Sequence, residues 1–291
     1  MTYHITHTTE YKYHQEVALC HNIARLLPRN TSMQTLRKST VKISPLPDVM
    51  EAYEDFYGNN VLYFAVQEEH SALKVTVQTQ IEKKPQPAYT AGLYQSYSWE
   101  EALQEVQYPS GRYFDARQFT GSTPMTAFNQ EIHTYASRSF TPGRSFFDAT
   151  FDLIQRIYKD FEYKPGFTSV ATPLQEVMEL KKGVCQDFAH LAIAGIRSLG
   201  LPARYVSGYL ETLAPPGKEK LTGVDASHAW LSIFIPDTGW VDFDPTNNML
   251  TGDQHITIGW GRDYADVPPL KGVILSAGPH QLEVSVDVRR V

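Results

Sequence analysis

Apolar and polar positions alternate with a period of two through the first 85 residues and switch to a helical period in the middle of the chain. "VLYFAVQ" (61–67) and "LKVTVQTQIE" (73–82) alternate or run apolar and are rich in β-branched residues, the pattern of strands. "DFYGNN" (55–60) offers Gly58 and Asn59 to a hairpin turn, and "ISPLPD" (43–48) is a proline-broken turn or sheet edge. Residues 1–85 are therefore expected to form an antiparallel β-sandwich-like domain. In "KKPQPAYTAG" (83–92) prolines and small residues replace the alternation, so a linker and short helices are expected over 86–140.

The helical signals come with start and stop residues. "SWEEALQEVQYPS" (98–110) opens on Ser98 with Glu101 three residues on, a capping box, and should stop near Pro109. "STPMTAFNQEIHTYAS" (122–137) can supply another short helix. In "PGRSFFDATFDLIQRIYKDFEY" (142–163), Phe147, Thr150, Phe151, Ile154, Ile157, Tyr158 and Phe161 recur at helical spacing. "TPLQEVMELKKG" (172–183) places Thr172 as N-cap, Pro173 at the first helical position, Gln175 as capping-box partner and Gly183 past the last turn. A third helix starts near Cys185, aligns Phe188, Ala192, Ile196 and Leu199, and is stopped by Gly200 and Pro202. Strands follow in "ARYVSGYLE" (203–211), "HAWLSIFIP" (228–236), "WVDFDP" (240–245) and "QLEVSVDVRRV" (281–291). Helices followed by antiparallel strands make residues 141–291 an α+β core.

Composition narrows the function classes. A net charge of −6 with scattered Lys and Arg lacks the basic face that phosphate neutralisation requires, so nucleic acid is not an expected partner. No apolar run approaches the roughly 20 residues of a membrane helix, and "MTYHITHTTEY" has neither part of a signal peptide. Two cysteines, Cys20 and Cys185, make no disulfide framework, so the expected compartment is the reducing cytosol. Cys20 is expected to be a core thiol. His4, His7, His14 and His21 show no metal-ligand spacing, and no phosphate-binding glycine loop is present, so neither metal nor cofactor is expected.

Cys185 stands apart because of its position. A thiol at a helix N-terminus meets unpaired N–H groups and the positive end of the helix dipole, both of which favour the thiolate. A nucleophile also needs a base, and the base needs an orienting group. "DASHAWLSIF" supplies His228 at the mouth of one strand, and "GWVDFDPTN" supplies Asp242 and Asp244 on the next. If the two strands pair through "PDTG", His228 and an acid share a face only when the register sum is even, which requires an odd loop or a bulge. Asp244 leaves its strand where His228 enters, which places it better than Asp242. Singly, each residue has an ordinary reading: a buried thiol, a strand-edge histidine, a turn aspartate before proline.

At these residues the sequence resembles the bacterial transglutaminase-like proteins, in "GVCQDFAHL" (183–191), "GLPARYVSGYL" (200–210), "SHAWL" (227–231) and "GWVDFDPTN" (239–247). "GRDYADVPPLKG" (261–272) and the N-terminal "DFYGNNV" are family-like too. The resemblance implies a papain-like α+β core and a triad of Cys185 as nucleophile, His228 as base and acid, and Asp244 as orienter, since the family's acid precedes proline. It marks one departure: where relatives often carry an acidic residue two positions after the histidine-motif tryptophan, this chain has Ser232, on the strand face of His228 and Trp230.

The expected function is a cysteine-dependent amide hydrolase or acyltransferase acting on a peptide or protein through a thioester, with hydrolysis favoured over cross-linking. The alternative is an inactive binding or scaffold module of the same fold. For the oxyanion and substrate cleft, the backbone N–H of Cys185 is the first donor, and Gln186, Tyr163 and Trp230 are candidates for a second. Asp187 is read as a dipole complement and His190 as a packing or cap contact. "GRDYADVPP", with Asp263 and Tyr264, can either line the cleft or form a structural turn.

Overall fold

The computed structural model of the chain describes residues 1–85, 97–108, 112–212, 226–275 and 278–291. Six strands come first: β1 (Thr2–Val17), β2 (Leu19–Ala24), β3 (Gln34–Ser44), β4 (Val49–Glu54), β5 (Asn60–Val66) and β6 (His70–Lys83). Helices α1 (Trp99–Gln107), α2 (Phe114–Arg117), α3 (Gln130–Ser137) and α4 (Phe146–Asp160) follow. Then come β7 (Glu162–Tyr163), α5 (Leu174–Leu180), β8 (Lys182–Gly183) and α6 (Cys185–Ser198). The rest is β9 (Ala203–Leu210), β10 (Ala226–Ile235), β11 (Gly239–Asp244), β12 (Met249–Leu250), β13 (His255–Gly261), β14 (Leu270–Leu275) and β15 (His280–Arg290). The architecture is α+β: an antiparallel sandwich beside a core of helices on a five-stranded sheet, the arrangement expected of a papain-like core.

The sandwich stacks the sheet β15-β1-β6-β3 on the sheet β14-β2-β5-β4. The expected turn at 55–60 joins β4 to β5, with Gly58 at φ +72°. Cys20 is buried in the core between the sheets, among Leu62, Phe64, Leu73 and Val75. The last two strands depart from the expected division of the chain. β14 pairs with β2 and β15 pairs with β1, so the C-terminal residues complete the N-terminal sandwich. Alternation reveals which face of a strand is apolar but not which distant strand it joins. Leu282 and Val284 share a face with Val286 and Val288, yet only the latter pair is buried.

β1 and β6 form a ribbon long enough to serve two cores. Toward one end Leu73, Val75 and Val77 face the second sandwich sheet. Toward the other, Tyr3, Ile5 and Ile81 pack with Val286 and Val288 of β15 against Tyr209, Ile256 and Ile258 of the papain-like core. The inward rhythm of β6 continues to its last residue, which buries Lys83. The expected linker over 83–92 otherwise falls mostly outside the described residues.

Local signals place most of the helices. Ser98 and Glu101 form both arms of the capping box of α1 (3.2 and 2.8 Å). The run 122–137 divides into a short 3-10 turn, Pro124–Thr126, and α3, capped by Asn129. α4 begins after Ser145, whose hydroxyl accepts from the Asp148 N–H at 3.0 Å. One cap differs from expectation: α5 starts after Pro173 with no side-chain cap, and Gly183 lies in β8. The Thr172 hydroxyl instead accepts from the Ser169 N–H at 2.9 Å, closing the turn before the helix. α6 is buried nearly all round, between α3, α4 and α5 on one side and Ala203, Tyr205, Ala229, Leu231 and Ile233 of the sheet on the other. Inside its last turn the Arg197 guanidinium donates to the carbonyls of Ala203, Gly121 and Arg262 and to Thr126 Oγ1, tying α6 to three loops.

The core sheet runs β12-β11-β10-β9-β13, and β13 is its edge. Two side-chain amides from the N-terminal region cover that edge. Gln34 Nε2 donates to the Thr257 carbonyl (2.6 Å) while Gln34 Oε1 accepts from the Thr257 N–H (3.0 Å). Asn59 treats Trp260 the same way, with Nδ2 donating to its carbonyl (2.8 Å) and Oδ1 accepting from its N–H (2.9 Å). A Cβ on Gly259 would lie 2.6 Å from Asn59 Oδ1, so only glycine admits this contact. The "DFYGNN" segment is thus both a turn and the docking element between the two halves. Replacing Asn59 by Ala would strand both backbone groups of Trp260, so Asn59→Ala should destabilise the whole chain by about 2–4 kcal/mol in urea unfolding. A loss below about 0.5 kcal/mol, the range of a neutral surface change, would refute this role for the turn.

Candidate active site

Cys185 is the first residue of α6 and is partly exposed. The segment leading into it is built by Asp187. That carboxylate folds back over Gly183, accepting from the Val184 N–H (2.9 Å) and from Thr168 Oγ1 (2.6 Å). A Cβ on Gly183 would meet Asp187 Oδ2 at 2.9 Å, which explains the glycine of "GVCQD". Burial pushes the Asp187 carboxyl up, opposed by these two bonds. Asp187 therefore caps the helix, and the Cys185 and Gln186 N–H groups in the first turn are left without intrahelical acceptors.

His228 and Asp244 meet because of a parity. β10 pairs with β11 in the register Leu231 to Phe243 and Ile235 to Gly239, closing over the three residues Pro236, Asp237 and Thr238. Asp237 (φ +61°) and Gly239 (φ +95°) supply the positive dihedrals of this odd turn. The register sum is even, so His228, Trp230 and Ser232 share a face with Trp240, Asp242 and Asp244. His228 Nε2 lies 2.7 Å from Asp244 Oδ2. Cys185 lies near enough to the imidazole to act on it together with Asp244, and with Nε2 directed at Asp244 the ring's other nitrogen, Nδ1, is left for the thiol.

Asp244 is fully buried and accepts five hydrogen bonds. Oδ1 takes the N–H groups of Thr246 (2.9 Å) and Asn247 (3.2 Å). Oδ2 takes Asn247 Nδ2 (2.7 Å), His228 Nε2 and His255 Nε2 (3.0 Å). His255 Nδ1 accepts from the Gly252 N–H at 3.1 Å, which puts the proton of the neutral ring on Nε2, facing Asp244. Burial alone would raise the Asp244 carboxyl, but hydrogen bonds from His228 and His255 hold it well below the usual carboxylate range. Burial likewise opposes the charge on His228, and the bonds to Asp244 and Cys185 overcome it, pushing the imidazolium up to about 10. His255 moves the other way: burial lowers it and keeps it neutral.

The sequence profile of the bacterial transglutaminase-like N-terminal region matches residues 3–82, and that of the transglutaminase-like superfamily matches residues 116–245. An uncharacterized protein of Mycobacterium tuberculosis is 41% identical, over 98% of this chain and 92% of that one. The chain belongs to the transglutaminase-like superfamily. The crystal structure of a Cytophaga hutchinsonii protein provisionally described as a cysteine protease superposes with a TM-score of 0.76, covering 99% of this chain and 90% of that one at 20% identity. A protein-glutamine gamma-glutamyltransferase of Pseudomonas aeruginosa is 30% identical over 40% of this chain and 19% of its own.

The other residues singled out in this transglutaminase-like chain scatter. Tyr163 pairs with Gly183 across β7 and β8 and is half-exposed, with its ring edge-on to Phe188 at 6.3 Å. Burial and the nearby Cys185 push its phenol up. Gln186 is partly exposed in the first turn, and its side chain has no hydrogen-bond partner among the described residues. Trp230 is not a cleft donor. It is fully buried, and its indole N–H donates to Asp242 Oδ2 at 3.0 Å. His190 is a packing and cap residue: Nε2 accepts from the Tyr264 N–H (3.1 Å), and burial lowers the ring to about 3. "GRDYADVPP" forms a turn locked by the Arg262–Asp266 pair (2.9 Å), with Asp263 capping it.

Two residues in the array carried no expected role. Asn247 had a signal, three residues after Asp244 in a "DPTN" turn. His255 had none, because β13 comes beside β9 only in the folded sheet. His228, Asp244 and His255 offer three ligand atoms within 4.8 Å of one another, a spacing open to a metal ion. With metal bonds of about 2.0–2.1 Å at tetrahedral angles, ligand atoms stand ~3.3 Å apart. The observed 2.7 and 3.0 Å fit shared protons instead.

The pair sets a pH window. The depressed Asp244 contributes stability above its ordinary value of 3.8 and loses it as the pH falls through its folded range. The raised His228 contributes fully below 6.5 and loses its contribution as the pH rises toward about 10. Asp244→Asn should therefore cost about 3–5 kcal/mol between roughly pH 4 and 6.5 and progressively less toward pH 10. Urea unfolding of both proteins across pH measures the difference, and a pH-independent difference would contradict the ion pair.

Proposed function

We propose that this protein is a cysteine-dependent amidase or peptidase that cleaves peptide or protein amides through a thioester on Cys185. The observation that supports this most is the 2.7 Å hydrogen bond from His228 to the buried Asp244, with Cys185 near the same imidazole at the start of α6. Membership of the transglutaminase-like superfamily agrees with it.

The chemistry follows from the charges. In the proposed reaction His228 takes the thiol proton and the sulfur attacks as the thiolate. The Cys185 thiolate adds to the amide carbonyl, and the C–N bond breaks as His228 Nδ1–H protonates the departing amine. The thioester that remains is attacked by water, whose proton passes to Nδ1, and the carboxylic acid leaves as Cys185 is restored. The Cys185 N–H at the open start of α6 is the first oxyanion donor, and the Gln186 amide is the better placed of the proposed second donors. Asp244 keeps the Nε2 proton in place and stabilises the charged ring.

Water is the favoured acceptor because it needs no binding site of its own, whereas a second amine does, and a papain-like cleft suits an extended peptide chain. Both cysteines are free thiols, which fits a reducing compartment such as the cytosol. Cys185 should be alkylated by iodoacetamide well below the ordinary thiol range, while buried Cys20 stays protected as an internal control in the same peptide map. His228→Ala should abolish the low-pH reactivity. Cys185→Ala should lower peptide or amide cleavage by roughly a thousandfold or more without changing the unfolding midpoint by more than a small amount. Alkylation only at alkaline pH would leave a binding module of the same fold as the better account, and cleavage retained in Cys185→Ala would end the role of Cys185 as nucleophile.

A further inference from the structure

Beneath the N-terminal ribbon, on the face of the core sheet that carries Trp230, lies a cavity of about 600 Å3. Neither Cys185 nor His228 lines it; Trp230 and His255 do, and His255 reaches from it to Asp244. Its floor holds an unusual charge arrangement. Arg204 is 7% exposed, and its guanidinium is sandwiched between Trp240 (4.0 Å) and Trp260 (3.7 Å). Stacking satisfies the two faces of the guanidinium but none of its N–H groups, and Arg204 Nε is buried with no hydrogen-bond partner.

The neighbouring strand adds a second orphan. Ser232 is opposite Arg204 on one side and Asp242 on the other, is fully buried, and its hydroxyl has no partner. Asp242 holds the Trp230 indole rather than Arg204. Lys83, the inward end of β6, also lines the cavity and uses two of its three N–H groups on the carbonyls of Gly252 and His255. Arg204 and Lys83 thus share a space walled by indole rings with the carboxylate of Asp242, and Asp253 also acts on Lys83. A guanidinium clamped between rings presents its N–H fork edge-on, the geometry that accepts a carboxylate through two parallel bonds.

We propose that this cavity is a binding site for a small organic carboxylate, taken by the Arg204 fork with Lys83 beside it and its apolar part against Trp230 and Trp240, while Ser232 lies next to Arg204 behind the lining. The position of Ser232 is the reason a free carboxylate fits: an acidic side chain at that point would provide the counter-charge from within the chain. The site is separate from the cysteine chemistry proposed above, and its test does not depend on that chemistry.

Three of the chain's four tryptophans, Trp230, Trp240 and Trp260, line the cavity, so tryptophan fluorescence of the full chain reports on it. Phenylacetate should give a saturable change that its neutral isostere phenylacetamide does not. Arg204→Gln should weaken phenylacetate binding about tenfold or more. Ser232→Asp, which supplies a fixed carboxylate next to Arg204, should bind none while keeping the native emission spectrum. No saturable change with phenylacetate, an equal response to phenylacetamide, or an unaltered response in a folded Ser232→Asp would each overturn the proposal and leave the stack purely structural. Inorganic phosphate saturating at lower concentration than phenylacetate would overturn the carboxylate assignment. Should Arg204→Gln fail to fold, the comparison of phenylacetate with phenylacetamide on the unaltered chain still decides.

Discussion

Everything at the site rests on keeping one carboxylate charged where water does not reach. An ionised side chain without exposure costs several kcal/mol in desolvation unless donors surround it. Asp244 gathers them from β10, from the turn after β11 and from β13. No two of these are neighbours in sequence by chance: the β10–β11 turn must have its odd length, the "DPTN" turn must close, and β13 must register against β9 so that His255 arrives opposite Leu210. A slip by one residue in either pairing would turn a histidine to the wrong face. The charge therefore acts as a test of the assembled sheet, and His228 inherits its protonation from that test.

Much of this was legible in the chain, and the division between what was and was not is physical. Short-range chemistry was readable. Ser98 with Glu101, the start of α6 at Cys185, and the stop at Gly200 and Pro202 all depend on residues within one turn of each other. Thr172 shows the limit even there, because two local hydrogen bonds competed for one hydroxyl and the turn at Ser169 prevailed. Period-two alternation correctly put Trp230 on the face of His228. It could not reveal that a cavity on this face is lined by residues 31–34 and Lys83. His255 and the pairing of β14 and β15 are long-range facts with no local signature.

The two halves of the molecule are joined by paired amides and stacked cations rather than by apolar area alone. Gln34 and Asn59 reproduce the hydrogen bonding of a neighbouring strand along β13. Arg29 lies 3.3 Å from the centre of the Trp260 ring, which also stacks on Arg204, so indole and guanidinium alternate across the junction. Such contacts are directional. They fix the orientation of the N-terminal ribbon over the sheet, and thereby the depth of the cavity beneath it.

The return of β14 and β15 to the sandwich has a consequence for how the chain is made. On a ribosome β1 to β6 emerge well before β14 and β15, the outer strands of the same domain. Until then β1 and β2 each present an open edge, the kind that recruits other chains. The papain-like core, meanwhile, has all five strands of its own sheet before those final residues appear. Closure of the sandwich should thus come after the core sheet is set, because the strands that complete it follow β9 to β13 in the chain.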